Sequence, residues 1–291
     1  MESRGDLASI LPYMPVILRS SSLFWPPNAH EALKGLSLGP DVSGVVSGEV
    51  LFDAIVDLRA SLGLSRERLA FRAAQGYATF FDELMTREDS RMWFGEVVPG
   101  LARLLLRLPS LLEVHYRDSD RAFGAGKAGL RILDRQQAGI VYLSQELIAA
   151  LLACSFFCLF PVAERSANHL PTINFDHLFS GLHPKGQLSQ EAKLKCLIHY
   201  FERVCSNIPA NFVSYERKVL SVEYSSQCTS YPDVVFWQKS VAPLCSFKVS
   251  PSGLIEDQQY DALEADFANE YLGGGALYNG CVQVIVLNFF N

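Results

Sequence analysis

The chain has 291 residues, 49% of them apolar, a formal net charge of −6 and a sequence pI of about 5.6. That length and apolar share suffice for one large domain or two ordinary ones. The acidic balance excludes a protein that coats duplex nucleic acid, which needs a dominant basic surface to displace counterions. It leaves open the recognition of a polyanion at one local site, where backbone N–H groups do what bulk charge does not.

In chain order, the polar start Met1-Glu2-Ser3-Arg4-Gly5-Asp6 cannot open a secretory signal. Up to about residue 208 the pattern is mostly helical. Phe81, Leu84 and Met85 mark one face after a Gly76-Tyr77 turn, and Val97–Leu112 is a leucine-rich amphipathic stretch interrupted by Pro109. Gly124–Gly129 formally matches G-x-G-x-x-G, but the polar run Arg117–Arg121 stands where a dinucleotide fold needs a strand. Ala128 after Lys127 also breaks the phosphate-loop pattern, so the segment is predicted to be a flexible loop. The uncharged run Leu147–Ala163, opened by Ser144-Gln145-Glu146, is short for a membrane span and lacks anchoring flanks. It is predicted to be a buried helix.

Cys154 and Cys158 lie one helical turn apart, but no second pair or spaced histidines complete a metal set, and nothing near His199 does either. The 7 cysteines, at 154, 158, 196, 205, 228, 245 and 281, read as buried thiols of an intracellular protein and not as a disulfide frame. Ser189 is a good N-cap for a helix whose stripe is Leu194, Leu197, Ile198, Phe201 and Val204, with Lys193, Lys195, Glu202 and Arg203 on the wet side. Beyond about residue 208 the period changes. Asn211–Val222 alternates irregularly, Leu244–Val249 reads as a strand, and Ala262–Phe267 alternates into Gly273-Gly274-Gly275. The division is therefore a helical region over 1–208 and a sheet-based domain over 209–291. Asp266 and Asn269 at a strand end, followed by three glycines, fit a phosphate-cradling ligand loop and a plain glycine-rich turn equally on spacing alone.

Those residues also carry a resemblance. Glu264–Gly275 (EADFANEYLGGG), with Gln283 at the family's spacing beyond it, resembles the signature of poly(ADP-ribose) glycohydrolases, where the glutamine opens a Gln-Glu-Glu motif. Ile173–Phe179 (INFDHLF), Ala192–Val204 (AKLKCLIHYFERV) and Ser144–Pro161 resemble that family's accessory helical region, and Leu11–Pro27 resembles its plant-type N-terminus. The resemblance implies an α+β architecture: a helical accessory region followed by a macrodomain-like α/β catalytic domain, of which this chain would hold only a truncated opening part. It implies that Gly273, Gly274 and Gly275 cradle a diphosphate, that Glu256 lies near the adenine, that Asp266 and Asn269 order the site around the terminal ribose, and that Gln283 is a further substrate-binding residue. The implied partners are poly(ADP-ribose), ADP-ribose and poly(ADP-ribosyl)ated proteins, in nucleus and cytoplasm. No cofactor, metal, duplex DNA or membrane is implied.

The sequence departs from the family at the residues that do the chemistry. Val284 and Ile285 stand where the motif has two glutamates. An aliphatic side chain has no proton to transfer, so the expectation is a chain without catalytic residues. A Gln-Val junction is compatible with a CAG|GTN intron boundary, so residues 284–291 are read as a retained intron or a mis-called exon end. VQVIVLNFF is an uncharged β-aggregation pattern.

Overall fold

A computed structural model of the chain describes residues 4–64, 69–134, 137–161, 173–182, 188–219, 234–249, 251–253 and 276–277. The N-terminal helix α1 (Gly5–Ile10) runs into a 3-10 turn, Leu11–Tyr13. A hairpin follows, β1 (Ile17–Arg19) against β2 (Ser22–Phe24), with Arg19 opposite Ser22. Its two-residue turn holds Ser20 and Ser21 at φ 50° and 64°, the left-handed pair that keeps a tight hairpin in register with strand twist.

Helices α2 (Pro27–Ser37), α3 (Pro40–Ser43) and α4 (Gly48–Ser61) come next. Ser47 caps α4, its Oγ accepting the Val50 amide at 3.2 Å, and Asp82 accepts the Gly48 amide at 2.7 Å. Leu51, Ile55 and Leu58, at i, i+4 and i+7, are buried along one side of α4. The chain then alternates α and π geometry: α5 (Ala73–Ala78), a π turn Thr79–Leu84, α6 (Arg87–Met92), a second π turn Trp93–Val97, and α7 (Val98–Phe123).

Two expectations are corrected here. Gly76-Tyr77 is not a turn but the middle of α5: a Cβ at Gly76 would strike the Phe179 carbonyl, so the glycine serves close packing. Nor does Pro109 interrupt its helix. Proline deprives the Leu105 carbonyl of its i+4 donor, and the buried Trp25 indole supplies one instead, Nε1 donating to Leu105 O at 2.7 Å. With that acceptor satisfied from outside, α7 runs 26 residues through the proline.

After α7, β3 (Gly139–Ser144) leads into α8 (Gln145–Phe156), capped by Ser144 Oγ on the Leu147 amide at 3.2 Å. Ala149, Ala150, Ala153 and Cys154 are buried, as expected for a core helix. Among the described residues no helix is long and apolar enough to cross a membrane. Next come α9 (Asp176–Ser180), α10 (Leu188–Ser206), β4 (Phe212–Arg217) and α11 (Val234–Lys239). β4 pairs antiparallel with β3, Gly139 opposite Arg217 and Ser144 opposite Phe212, so a strand beyond residue 208 completes a ribbon begun before it.

The core gathers α2, α4, α5, α7, α8, α9 and α10 around one aromatic cluster. Tyr77 stacks on Phe179 with centroids 3.7 Å apart, Phe81 on Trp93 at 5.3 Å, and Phe156 meets Phe201 edge-on at 5.6 Å. The fold is α+β, its helical part formed as expected. Leu244–Val249, expected as a strand, is irregular, with Leu244 99% exposed. Among the described residues it has no ladder partner, without which its backbone gains nothing from extending.

Candidate functional site

Glu256, Asp266, Asn269, Gly273, Gly274, Gly275, Gln283, Val284 and Ile285, the residues singled out by resemblance, lie outside the described residues, as does Ala262–Phe267. What the structure places is the pair that directly follows the triple glycine, Ala276 and Leu277, and the surface that receives it.

That surface is α10. Leu194, Ile198, Phe201 and Val204 are buried in the core, Leu197 half-buried, and Lys195 pairs with Glu191 across one turn at 2.6 Å on the wet side. The helix begins at Leu188, so Ser189 lies inside its first turn and not before it. Lys193, assigned to the wet side from the pattern, is half-buried, and its Nζ donates to the Ala276 carbonyl at 2.7 Å. Leu277 packs against the core beside it. No local signal in the sequence marks Lys193, because its partner arrives from 83 residues away.

Behind α10, the Asn174-Phe175-Asp176 part of the Ile173–Phe179 motif builds a buried polar brace around the end of α8. Asn174 clamps Phe160 from both sides, Oδ1 accepting its amide at 3.2 Å and Nδ2 donating to its carbonyl at 2.9 Å. The last carbonyls of a helix lack intrahelical donors. Tyr77 Oη donates to that of Phe156, and the Arg59 guanidinium to that of Cys158, placing a cation at the negative end of α8. Asp176 accepts the Ala70 amide at 2.8 Å and supplies the opposing charge near Arg59. Burial pulls the Arg59 pKa down and pushes the Tyr77 hydroxyl up. The sequence reading missed this brace. A single Asp within the otherwise apolar INFDHLF was the available sign.

The buried thiols Cys154 and Cys158 are not nucleophiles. Burial pushes Cys154 up and holds Cys158 at about 12, so both stay protonated at neutral pH. Cys158 sits past the end of α8 at φ 55° and does not share a helical face with Cys154. Cys196 and Cys245, expected buried, are exposed, because Cys196 falls off the stripe of α10 and Cys245 lies in the irregular segment. Among the described residues no group of His, Cys, Asp and Glu could hold a metal.

Gly124–Gly129 is a loop, as expected. It leaves a helix and not a strand, and its Gly126 amide faces the Asp120 carboxylate at 3.1 Å, where a phosphate loop would need an anion from a ligand. Asp120 also pairs with Arg4, whose guanidinium lies 4.8 Å over the Tyr116 ring. The described residues thus form a scaffold to which Ala276 and Leu277 are fastened.

Comparison with known proteins assigns both halves. The family model described as "Poly (ADP-ribose) glycohydrolase (PARG), helical domain" matches residues 85–217, and "Poly (ADP-ribose) glycohydrolase (PARG), Macro domain fold" matches 234–290. The chain is 57% identical over 283 residues to Poly(ADP-ribose) glycohydrolase 1 of Arabidopsis thaliana, covering 97% of this chain and 50% of that protein. It is 55% identical over 283 residues to Probable poly(ADP-ribose) glycohydrolase 2 of the same plant, covering 97% and 54%. The chain spans about half the length of these relatives. A helical scaffold ending at β4 and a macro-fold match that contains every residue of the glycine-loop signature lead to one assignment: this chain belongs to the poly(ADP-ribose) glycohydrolase family.

Proposed function

We propose that this chain recognises ADP-ribose, free or at the end of poly(ADP-ribose) on modified proteins, and does not hydrolyse the polymer. The relatives' names carry the polymer as substrate. Recognition is assigned to the macro-fold segment. On the family resemblance, Gly273–Gly275 are assigned to the diphosphate, Glu256 to the adenine, Asp266 and Asn269 to the terminal ribose, and Gln283 to substrate binding.

Cleaving a ribose–ribose bond requires a carboxylic acid that protonates the departing hydroxyl while positive charge builds on the anomeric carbon. The resulting carboxylate then takes a proton from water. The observation that carries the proposal is Val284-Ile285 after Gln283, in place of two glutamates. Neither side chain exchanges a proton, and losing such a group costs roughly 10²- to 10⁴-fold in rate.

Calorimetric titration with ADP-ribose, beside an assay of ADP-ribose released from purified polymer, tests both parts. Saturable binding without release is expected. An absence of binding would favour a partner-binding role for the helical region, and release would overturn the inactive assignment.

A further inference from the structure

The helical region holds a groove of about 520 Å³ between α6 and the connection from α3 to α4. We propose that this groove docks an acidic peptide segment of a partner protein, with the peptide's carboxylates on Arg87 and Arg91. Those arginines lie one turn apart on α6, which puts their Cβ atoms about 5–6 Å apart on one face. Both are exposed, and among the described residues neither has an ion pair or hydrogen bond. Like charges at this spacing destabilise a helix, a cost that an anion placed between them relieves. Among the described residues the one carboxylate lining the groove is Asp82, and it is already spent, accepting the Gly48 and Glu49 amides at 2.7 and 3.3 Å. In a chain of net charge −6 the groove is thus a local excess of positive charge. Both π turns also end on it, the first through Phe81 and Asp82 and the second through Phe94 and Gly95. Such turns are rare and recur at functional sites.

The class of occupant follows from spacing and from the aromatic groups. In an extended peptide, residues i and i+2 share a face about 6.6–6.8 Å apart. Two carboxylates at that spacing match two guanidinium forks one helical turn apart, each able to form a bidentate pair. The residue between them points the other way, where Pro40 and Val46 offer apolar surface, Val46 being 61% exposed. A nucleotide polymer would instead need aromatic faces on which its bases stack. Phe81 and Phe94 offer none, being 0% and 3% exposed. The groove therefore suits alternating acidic and apolar residues, and its role is independent of ADP-ribose recognition.

The test is selection of random heptapeptides displayed on phage against the full chain, followed by titration of the recovered peptides, synthesised with a fluorophore, by anisotropy. Acids at i and i+2 with an apolar residue between them are the expected enrichment. The double variant Arg87→Gln, Arg91→Gln should bind these peptides about tenfold more weakly, the combined loss of two exposed ion pairs. Replacing the peptide acids by their amides should have the same effect, and added salt should weaken wild-type binding. Arg117→Gln, at an exposed arginine of α7 beside Asp118, is the control and should bind as wild type does. Thermal melts of the double variant should be unchanged or raised, because the two arginines hold no other group in place. Recovery of no peptides, of peptides without acidic preference, or of peptides that bind the double variant equally overturns the inference. Arginine-dependent binding of pyrophosphate or oligothymidylate with no peptide selected also overturns it, and assigns the groove to phosphates.

Discussion

Replacing Trp25 with phenylalanine isolates what lets α7 pass through a proline. The indole N–H is the donor on Leu105 O, at 2.7 Å, and both residues are buried. Phenylalanine removes that donor and leaves a buried carbonyl without its bond, a loss of about 1–3 kcal/mol. Shrinking the ring adds a cavity contribution of about 1 kcal/mol, so Trp25→Phe should lower stability by roughly 2–4 kcal/mol. The carbonyl's share separates cleanly in a double-mutant cycle. With Pro109→Ala, residue 109 regains an amide that bonds Leu105 O in the ordinary i to i−4 manner. In that background Trp25→Phe should cost only the cavity contribution, giving a coupling of roughly 1–3 kcal/mol. Urea unfolding followed by far-ultraviolet circular dichroism measures all four proteins without relying on the tryptophan. Equal costs in the two backgrounds, within about 0.5 kcal/mol, would refute the reasoning.

Gly76→Ala should destabilise the protein by about 1–3 kcal/mol, although alanine is the better helix former, because its methyl meets the Phe179 carbonyl; a more stable variant in urea contradicts this. His115 is buried, its Nε2 accepting the Leu130 amide at 2.9 Å, and burial holds its pKa below 6.5. The unfolded chain therefore binds the proton first. Stability should be intact above about pH 6.5 and fall as pH drops from there toward the folded value. Melting temperatures across that window should decline less for His115→Gln, and parallel declines would remove His115 as the cause. Brief alkylation of the native chain followed by peptide mapping should label Cys196 and Cys245 and spare Cys154 and Cys158; equal labelling would contradict the burial described.

Features decided by local pattern were legible in the sequence. The stripe of α10, the buried run of α8 and the loop character of Gly124–Gly129 follow from spacing and side-chain polarity, which the fold leaves intact. What failed depended on distant partners. Pro109 reads as a break unless Trp25 is known to reach Leu105, and Gly76 reads as a turn unless Phe179 is known to press on it. Leu244–Val249 has a strand's composition, yet composition does not supply a neighbouring strand. Lys193 on the edge of an amphipathic stripe looks solvated until residue 276 is folded onto it. The candidate site rests on the resemblance alone, since acid, amide and glycines at that spacing also suit a simple turn and lie outside the described residues.

With Val284 and Ile285 in place of two glutamates, the proposed reader lacks the proton donor that hydrolysis of the polymer needs. The direct measurement is the release of ADP-ribose from purified poly(ADP-ribose) by the 291-residue chain, against a protein-free blank. No release above the blank is predicted. Release that scales with the amount of the chain would contradict the account.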